Sequence, residues 1–161
     1  MISDTVRVYL RSFVSPYSVI DSSVTKCDTT GYGRYYFTGI SDGVNYYIVL
    51  KHRNSIETWS ASAQSFTSGI LNYDFTSSIS QAFGNNMIQI DASPVRFAVY
   101  SGDVNQDGTV DVSDNGLIDN DAANFMSGYI PTDLNGDEIT DVSDAAIADN
   151  NAVNFVSVVN P

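Results

Sequence analysis

Between positions 101 and 161 the chain carries twelve acidic residues and no lysine or arginine, and this run constrains the fold more than any other feature. All seven basic residues (Arg7, Arg11, Lys26, Arg34, Lys51, Arg53 and Arg96) precede it, balanced there by Asp4, Asp21, Asp28, Asp42, Glu57, Asp74 and Asp91. The formal net charge of -12 therefore arises entirely in the last 61 positions. A segment so charged repels itself unless cations join it. A solvated acidic tail would lack large apolar side chains, yet this one contains Leu117, Ile118, Phe125, Ile147, Val153 and Phe155. It is expected to fold, around positive charge taken from outside the chain. The same negative field repels phosphate backbones and anionic lipid headgroups, which argues against nucleic-acid and membrane-surface partners.

The charge is also patterned. The stretch from Asp103 to Asp114, DVNQDGTVDVSD, returns thirty positions later from Asp133 to Asp144 as DLNGDEITDVSD. The likeness continues downstream, where Asp119-Asn120, Ala122 and Asn124-Phe125 recur as Asp149-Asn150, Ala152 and Asn154-Phe155, so the repeating unit is a loop plus the helix after it. A hard divalent cation takes six to eight oxygen ligands, and a 12-residue loop supplies them from positions 1, 3, 5, 7 (a backbone carbonyl), 9 and 12. In the first copy that grid is Asp103, Asn105, Asp107, the carbonyl of Thr109, Asp111 and Asp114. In the second it is Asp133, Asn135, Asp137, the carbonyl of Ile139, Asp141 and Asp144. Two Ca2+ ions are the expected cofactors. The sixth position favours glycine, because its sharp turn needs a positive φ; Gly108 meets this and Glu138 does not. That difference predicts the second loop to be the weaker site. No entering helix precedes the first loop, since 95–102 alternates as a strand does, so each unit is loop and exiting helix without the first helix of an EF-hand. The first helix is expected to end near Ser127-Gly128, and apolar stripes, Leu117/Ile118, Ala122 and Phe125 against Ala146/Ile147, Val153 and Phe155, are expected to pack on one another.

On these residues the segment from 103 to about 158 resembles a dockerin, the paired F-hand calcium module of cellulosomes and other secreted bacterial proteins. The resemblance implies docking onto a cohesin domain through loop positions 10 and 11, here Val112-Ser113 and Val142-Ser143, and through residues further along each helix, here Asp119-Asn120 and Asp149-Asn150. Basic residues often present on cellulosomal dockerin helices are missing here, so the partner is either a cohesin-like domain of another type or a copy of the same chain.

Strand-like runs fill the first hundred residues, at 5–13, 18–24, 34–38, 46–51, 57–61, 70–75, 87–90 and 95–100, punctuated by Gly, Ser, Asn and Asp. Seven or eight short strands predict an antiparallel β-sandwich of Greek-key type over residues 1–100, followed by a small α module over 101–161. The stretch from Gly33 to Gly43 followed by Tyr46-Tyr-Ile-Val-Leu-Lys51 is similar to carboxypeptidase-regulatory-like and Cna-B-like sandwiches, which implies an adaptor or stalk unit. Little chemistry is available for catalysis. His52 is the only histidine and reads as a solvated turn residue, Cys27 is a lone thiol, and no nucleophile elbow or phosphate-binding loop is present. The chain is therefore expected not to be an enzyme. No apolar run reaches the ~20 residues of a membrane span, and the opening Met1-Ile2-Ser3-Asp4-Thr5 has no export-signal character, so any export signal is expected to have been removed or to have belonged to a longer precursor.

The leading expectation is thus an extracellular, secreted or surface-attached calcium module that mediates protein–protein attachment. A structural subunit of a surface fibre or array is one alternative. A carbohydrate-binding module, with Trp59 and one tyrosine from each of the pairs Tyr35/Tyr36 and Tyr46/Tyr47 forming an aromatic platform for polysaccharide, is another.

Overall fold

The computed structural model describes residues 3–161. The chain divides into two compact units: Met1–His52 with Glu57–Ala98 and Val159–Pro161, and Arg53–Ile56 with Val99–Val158. The second unit therefore includes a four-residue piece from well inside the first hundred residues, and the last three residues count with the first unit. Composition gave no sign of either exchange.

The first unit is built on antiparallel strands. β1 (Asp4–Ser12), β2 (Val19–Cys27), β3 (Asn45–Lys51) and β4 (Thr58–Trp59) form a sheet in the order β2-β1-β3-β4, and β5 (Gln64–Ser65) also pairs with β3. β6 (Ile88–Ala92) and β7 (Val95–Ala98) make a separate hairpin. β1 alternates as its sequence predicts: Val8 and Leu10 point into a core with Tyr46, Ile48 and Phe66, while Arg7 and Arg11 flank the ring of Tyr9 on the other face, 5.8 and 5.7 Å from its centroid. The antiparallel sheets fit a β-sandwich.

Two expected strands, 34–38 and 70–75, are not strands. Their alternation is real, because Tyr35, Phe37 and Ile40, and Leu71, Tyr73 and Phe75, all pack on the core. The backbone of the first run, however, finds side-chain partners instead of a ladder. The N–H of Tyr36 donates to Ser23 Oγ (3.1 Å), and the N–H groups of Thr38 and Gly39 donate to Asp21 Oδ2 (2.7 and 3.0 Å). These backbone bonds hold the carboxyl of Asp21 below the ordinary carboxylate value. Periodicity reports where side chains point and does not say what the N–H groups bind.

In the second unit, α1 (Val112–Ala123) and α2 (Val142–Val153) follow the two acidic loops. Each helix begins with the same reciprocal cap. Asp111 Oδ1 accepts from the N–H of Ser113 (2.8 Å) while Asp114 Oδ2 accepts from the N–H of Asp111 (3.0 Å); Asp141, Ser143 and Asp144 repeat this at 2.7 and 3.0 Å. α1 stops at Ala123, short of the expected Ser127-Gly128, because Phe125 takes a left-handed conformation (φ 54°), and Phe155 does the same after α2 (φ 55°). The helix stripes also differ from expectation. Ile118 and Ala148 form the buried contact with Val104, joined by Leu134 and Ala145. Leu117, Val153, Phe125 and Phe155 face solvent, the two phenylalanines being 90% and 87% exposed. Among the described residues no helix is long and apolar enough to cross a membrane.

Candidate metal centre

The repeat produces two loops related by an approximate exchange of one half of the unit for the other. The strip at the end of the first loop pairs with the chain after α2: Val110 N–H donates to the carbonyl of Val156 and Val158 N–H to that of Gly108, both at 2.8 Å. The strip at the end of the second loop pairs with the chain after α1, where Gly128 N–H donates to the carbonyl of Glu138 (2.8 Å) and Thr140 N–H to that of Met126 (3.1 Å). Neither pairing uses the carbonyl of Thr109 or Ile139, the seventh-position oxygens of the predicted grid. Each loop is thus pinned by the other copy's trailing segment, and a local sequence pattern becomes a tertiary unit.

All the predicted side-chain ligands fall in these loops. Positions 1 and 12 are buried, with Asp103 and Asp133 each 2% exposed and Asp114 and Asp144 inaccessible, whereas Asn105, Asp107, Asn135 and Asp137 lie at the surface. A buried carboxylate must be compensated. At position 12 the compensation comes from backbone: Asp114 Oδ1 accepts from the N–H groups of Val104 (2.9 Å) and Asn105 (3.1 Å), and Asp144 Oδ1 accepts from those of Leu134 (2.7 Å) and Asn135 (3.0 Å). With the helix-cap bonds on Oδ2, each of these carboxylates gathers three N–H groups and ties the start of its loop to the start of its helix.

Position 1 is compensated differently in the two copies. Asp133 Oδ1 accepts from Gly136 N–H (2.7 Å) and Oδ2 from Glu138 N–H (3.2 Å). Asp103 Oδ2 accepts from Gly108 N–H (3.2 Å), but its Oδ1 is buried without a hydrogen-bond partner. Burial, reinforced by the carboxylate of Asp114 and only partly offset by the backbone N–H groups of Gly108 and Gln106, pushes the acid of Asp103 up to about 6. An orphaned buried carboxylate oxygen within a register of oxygen donors fits a hard divalent cation, whose charge would supply the missing partner.

The remaining donors are held by their own loops. The amide of Asn105 donates to Asp107 Oδ2 (2.9 Å) and Ser113 Oγ (3.0 Å), and that of Asn135 to Asp137 Oδ2 (3.0 Å) and Ser143 Oγ (2.9 Å). The serine hydroxyls in turn donate to Asp111 and Asp141, each at 2.6 Å, and lower those acids. Among the described residues no group of three or more His, Cys, Asp or Glu side chains is drawn together as a metal site. A bound ion would have to share or exchange the N–H and O–H partners that now engage positions 3, 5 and 9.

Turn geometry departs from the sequence argument in an instructive way. Glu138 is left-handed at the sixth position (φ 67°), as expected, but the fourth position is left-handed too, and there the residues are reversed. Gln106 (φ 62°) stands opposite Gly136 (φ 80°), and Gly108 (φ 93°) opposite Glu138. Each loop holds one glycine and one side-chain-bearing residue in this region, so turn strain does not by itself rank the two loops.

Several residues invisible to the motif surround the first aspartates. The side-chain amide of Gln106 donates to the carbonyl of Asp103 (2.5 Å) and of Ser55 (3.3 Å). In the second loop the carbonyl of Asp133 accepts from Asn54 Nδ2 (2.9 Å) and Arg53 Nη2 (3.1 Å). Arg53 and Asn54 lie about eighty residues upstream, and no local signal could have found them.

Among the helix positions singled out for docking, Val112 and Val142 are 81% and 79% exposed, and Ser113 and Ser143 are exposed beside them. Asp119, Asn120 and Asn150 are exposed, while Asp149 accepts from the side-chain amide of Asn115. The aromatic platform is corrected outright. Trp59 is 3% exposed, packed edge-on against Tyr17 and Tyr47, covered by the guanidinium of Arg11 at 5.0 Å, and donates to Glu57 Oε1 (2.9 Å). It is a core residue with no ring face to offer a sugar; of the two tyrosine pairs only Tyr36 is well exposed. His52 is half-buried, with Nε2 2.9 Å from Asp4 Oδ2, and is not a solvated turn residue.

No family model matches the chain, and no curated protein does. A chain in the crystal structure of a type II cohesin–X-dockerin complex from Acetivibrio cellulolyticus, a C-terminal interface mutant, is similar in fold. It is 16% identical, with a TM-score of 0.52 over 93% of this chain and 81% of that one.

Proposed function

We propose that the second unit is a dockerin-like, calcium-stabilised docking module, and that the chain is an extracellular, non-catalytic protein that attaches to a protein partner. The observation that carries the calcium reading is Asp103, buried with an unpartnered Oδ1 at the first position of a duplicated oxygen-donor grid. The docking reading follows from the apolar side chains at the two ends of each helix. Val112/Val142, at the expected docking positions, and Phe125/Phe155, which were expected to pack within the unit, put matched apolar groups in water at equivalent places in the two halves. A cohesin-like domain is the partner class favoured by the likeness in fold to a chain of a cohesin–X-dockerin complex. Since α1 and α2 carry no basic residue, the partner's recognition of them rests on apolar contact and on donors facing their carboxylates.

At an extracellular calcium level about a thousand times the dissociation constant, binding one ion adds about 4 kcal/mol to the stability of the folded unit. Thermal melting of the full chain in calcium and in chelator tests this. A rise in midpoint with calcium is expected, and identical transitions would overturn the calcium reading. Capture of a purified cohesin domain in calcium but not in chelator is the matching test of the docking reading.

A further inference from the structure

The two halves of the second unit differ most sharply at the backbone carbonyl of the first aspartate. In the first loop a neutral amide, that of Gln106, caps it; in the second the cap includes a guanidinium. Arg53 is 13% exposed at its side chain and is anchored on several sides. Its Nε donates to the carbonyl of Ile130 (3.1 Å), its Nη2 to that of Asp133 (3.1 Å), and its Cζ lies over the ring of Tyr129, 4.3 Å from the centroid. The same Nη2 is 3.7 Å from Asp133 Oδ2, a predicted ligand atom. Among the described residues no guanidinium faces Asp103, whose Oδ1 is buried without a hydrogen-bond partner.

We propose that Arg53 is a resident counter-cation of the second loop, a positioning residue that holds Asp133 in place without an ion and weakens calcium binding there, so that the loop from 103 to 114 fills first. The proposal rests on the calcium reading above. A fixed positive charge this close to a ligand oxygen repels an incoming divalent ion, and burial keeps solvent from screening it. Glu138 adds one negative charge to the same loop, but it is exposed, and water screens it. The pre-formed loop does not depend on the guanidinium alone. Asn54 Nδ2 caps the same carbonyl, and the N–H groups of Gly136 and Glu138 hold the carboxylate. Removing the charge should therefore release the repulsion while leaving the loop largely formed.

Calorimetric titration of the full chain with calcium is expected to give two steps of unequal affinity. In Arg53→Gln the weaker step should tighten by about tenfold or more with the stronger one unchanged, and Arg53→Lys, which keeps the charge, should return it close to the original value. A weaker step that is unchanged or weakened further in Arg53→Gln, or tightened equally in Arg53→Lys, overturns the proposal while leaving the calcium reading intact. Complete absence of binding in the unmodified chain overturns both. Amide exchange of the unmodified chain in chelator needs no variant. The N–H groups of Gly136 and Glu138 should be protected at least about tenfold more than that of Gly108, and equal protection contradicts a pre-formed second loop.

Discussion

Two loops with the same donors at the same spacing meet the burial of their first carboxylate in different ways, and the contrast separates what a motif specifies from what its surroundings add. Both gather three N–H groups on the twelfth-position aspartate and both cap a helix with the ninth. They part at position 1, where Asp133 has N–H donors on both oxygens and a guanidinium nearby, and Asp103 has one oxygen with nothing. The first carboxylate of one loop is satisfied by the protein, and that of the other keeps a buried oxygen without a hydrogen-bond partner.

The largest expected effects come from breaking what the loops share. Asp114→Ala and Asp144→Ala each strand three backbone donors at a buried site, and each should cost about 3 kcal/mol or more in chelator, read from urea denaturation. If the loops are equivalent in this respect the two losses agree; a much smaller loss in one would show that water reaches its amides. The double variant Asp103→Ala, Asp114→Ala should in addition remove one calcium from the calorimetric stoichiometry.

Turn chemistry should give effects of about 0.5–1 kcal/mol. Glu138→Gly relieves a left-handed side chain and should stabilise the chelated protein. Gln106→Gly relieves the same strain but removes the amide that caps Asp103, so its gain should be smaller or absent. Equal gains would mean that the Gln106 amide contributes nothing. The shift in denaturation midpoint decides.

Smaller still should be the stability change on replacing the solvent-facing phenylalanines. Phe125→Ala and Phe155→Ala are expected to stay within about 0.5 kcal/mol of the parent while weakening capture of a cohesin-like partner, and a large loss of stability would show that these rings pack in the folded unit after all.

Asp21 sharpens the comparison from outside it, since it too collects N–H groups but with no oxygen grid around it. Its acid is lowered by the backbone bonds from Gly39, Thr38 and Ser22. The folded value lies below 3.8, so its stabilising contribution is fully present above that pH and is lost as pH falls through the lowered value. Acid titration of the 34–40 amides by NMR should show release below pH 4 with no response to calcium; a calcium-dependent shift there would contradict the separate roles assigned to the two kinds of carboxylate.

What was legible in the sequence was what is local. The grid from Asp103 to Asp114 and its echo thirty residues later, the presence of a helix after each loop, and β1 and β3 could be read directly because their physics operates over a few residues: donor spacing, local repetition and alternation. The runs at 34–38 and 70–75 alternate without being strands because alternation encodes side-chain direction, and the backbone of 34–38 finds its partners on Ser23 and Asp21 of a strand further back in the chain. The strain argument built on Glu138 was half complete, since the left-handed turn at Gln106 and Gly136 shows itself only in the folded backbone.

The sequence by itself determined that the last third of the chain repeats an oxygen-donor loop with a helix after it, and that this segment carries twelve acidic residues and no lysine or arginine. Tertiary structure alone decided which carboxylate has a guanidinium beside it and which faces stay in water. Arg53 reaches Asp133 across a separation of eighty residues, and Phe125 and Phe155 point outward although hydrophobicity alone would have buried them. The reason is physical: ligand spacing is a property of the chain's covalent geometry, whereas the potential at a buried oxygen is the sum over everything that folding brings near it.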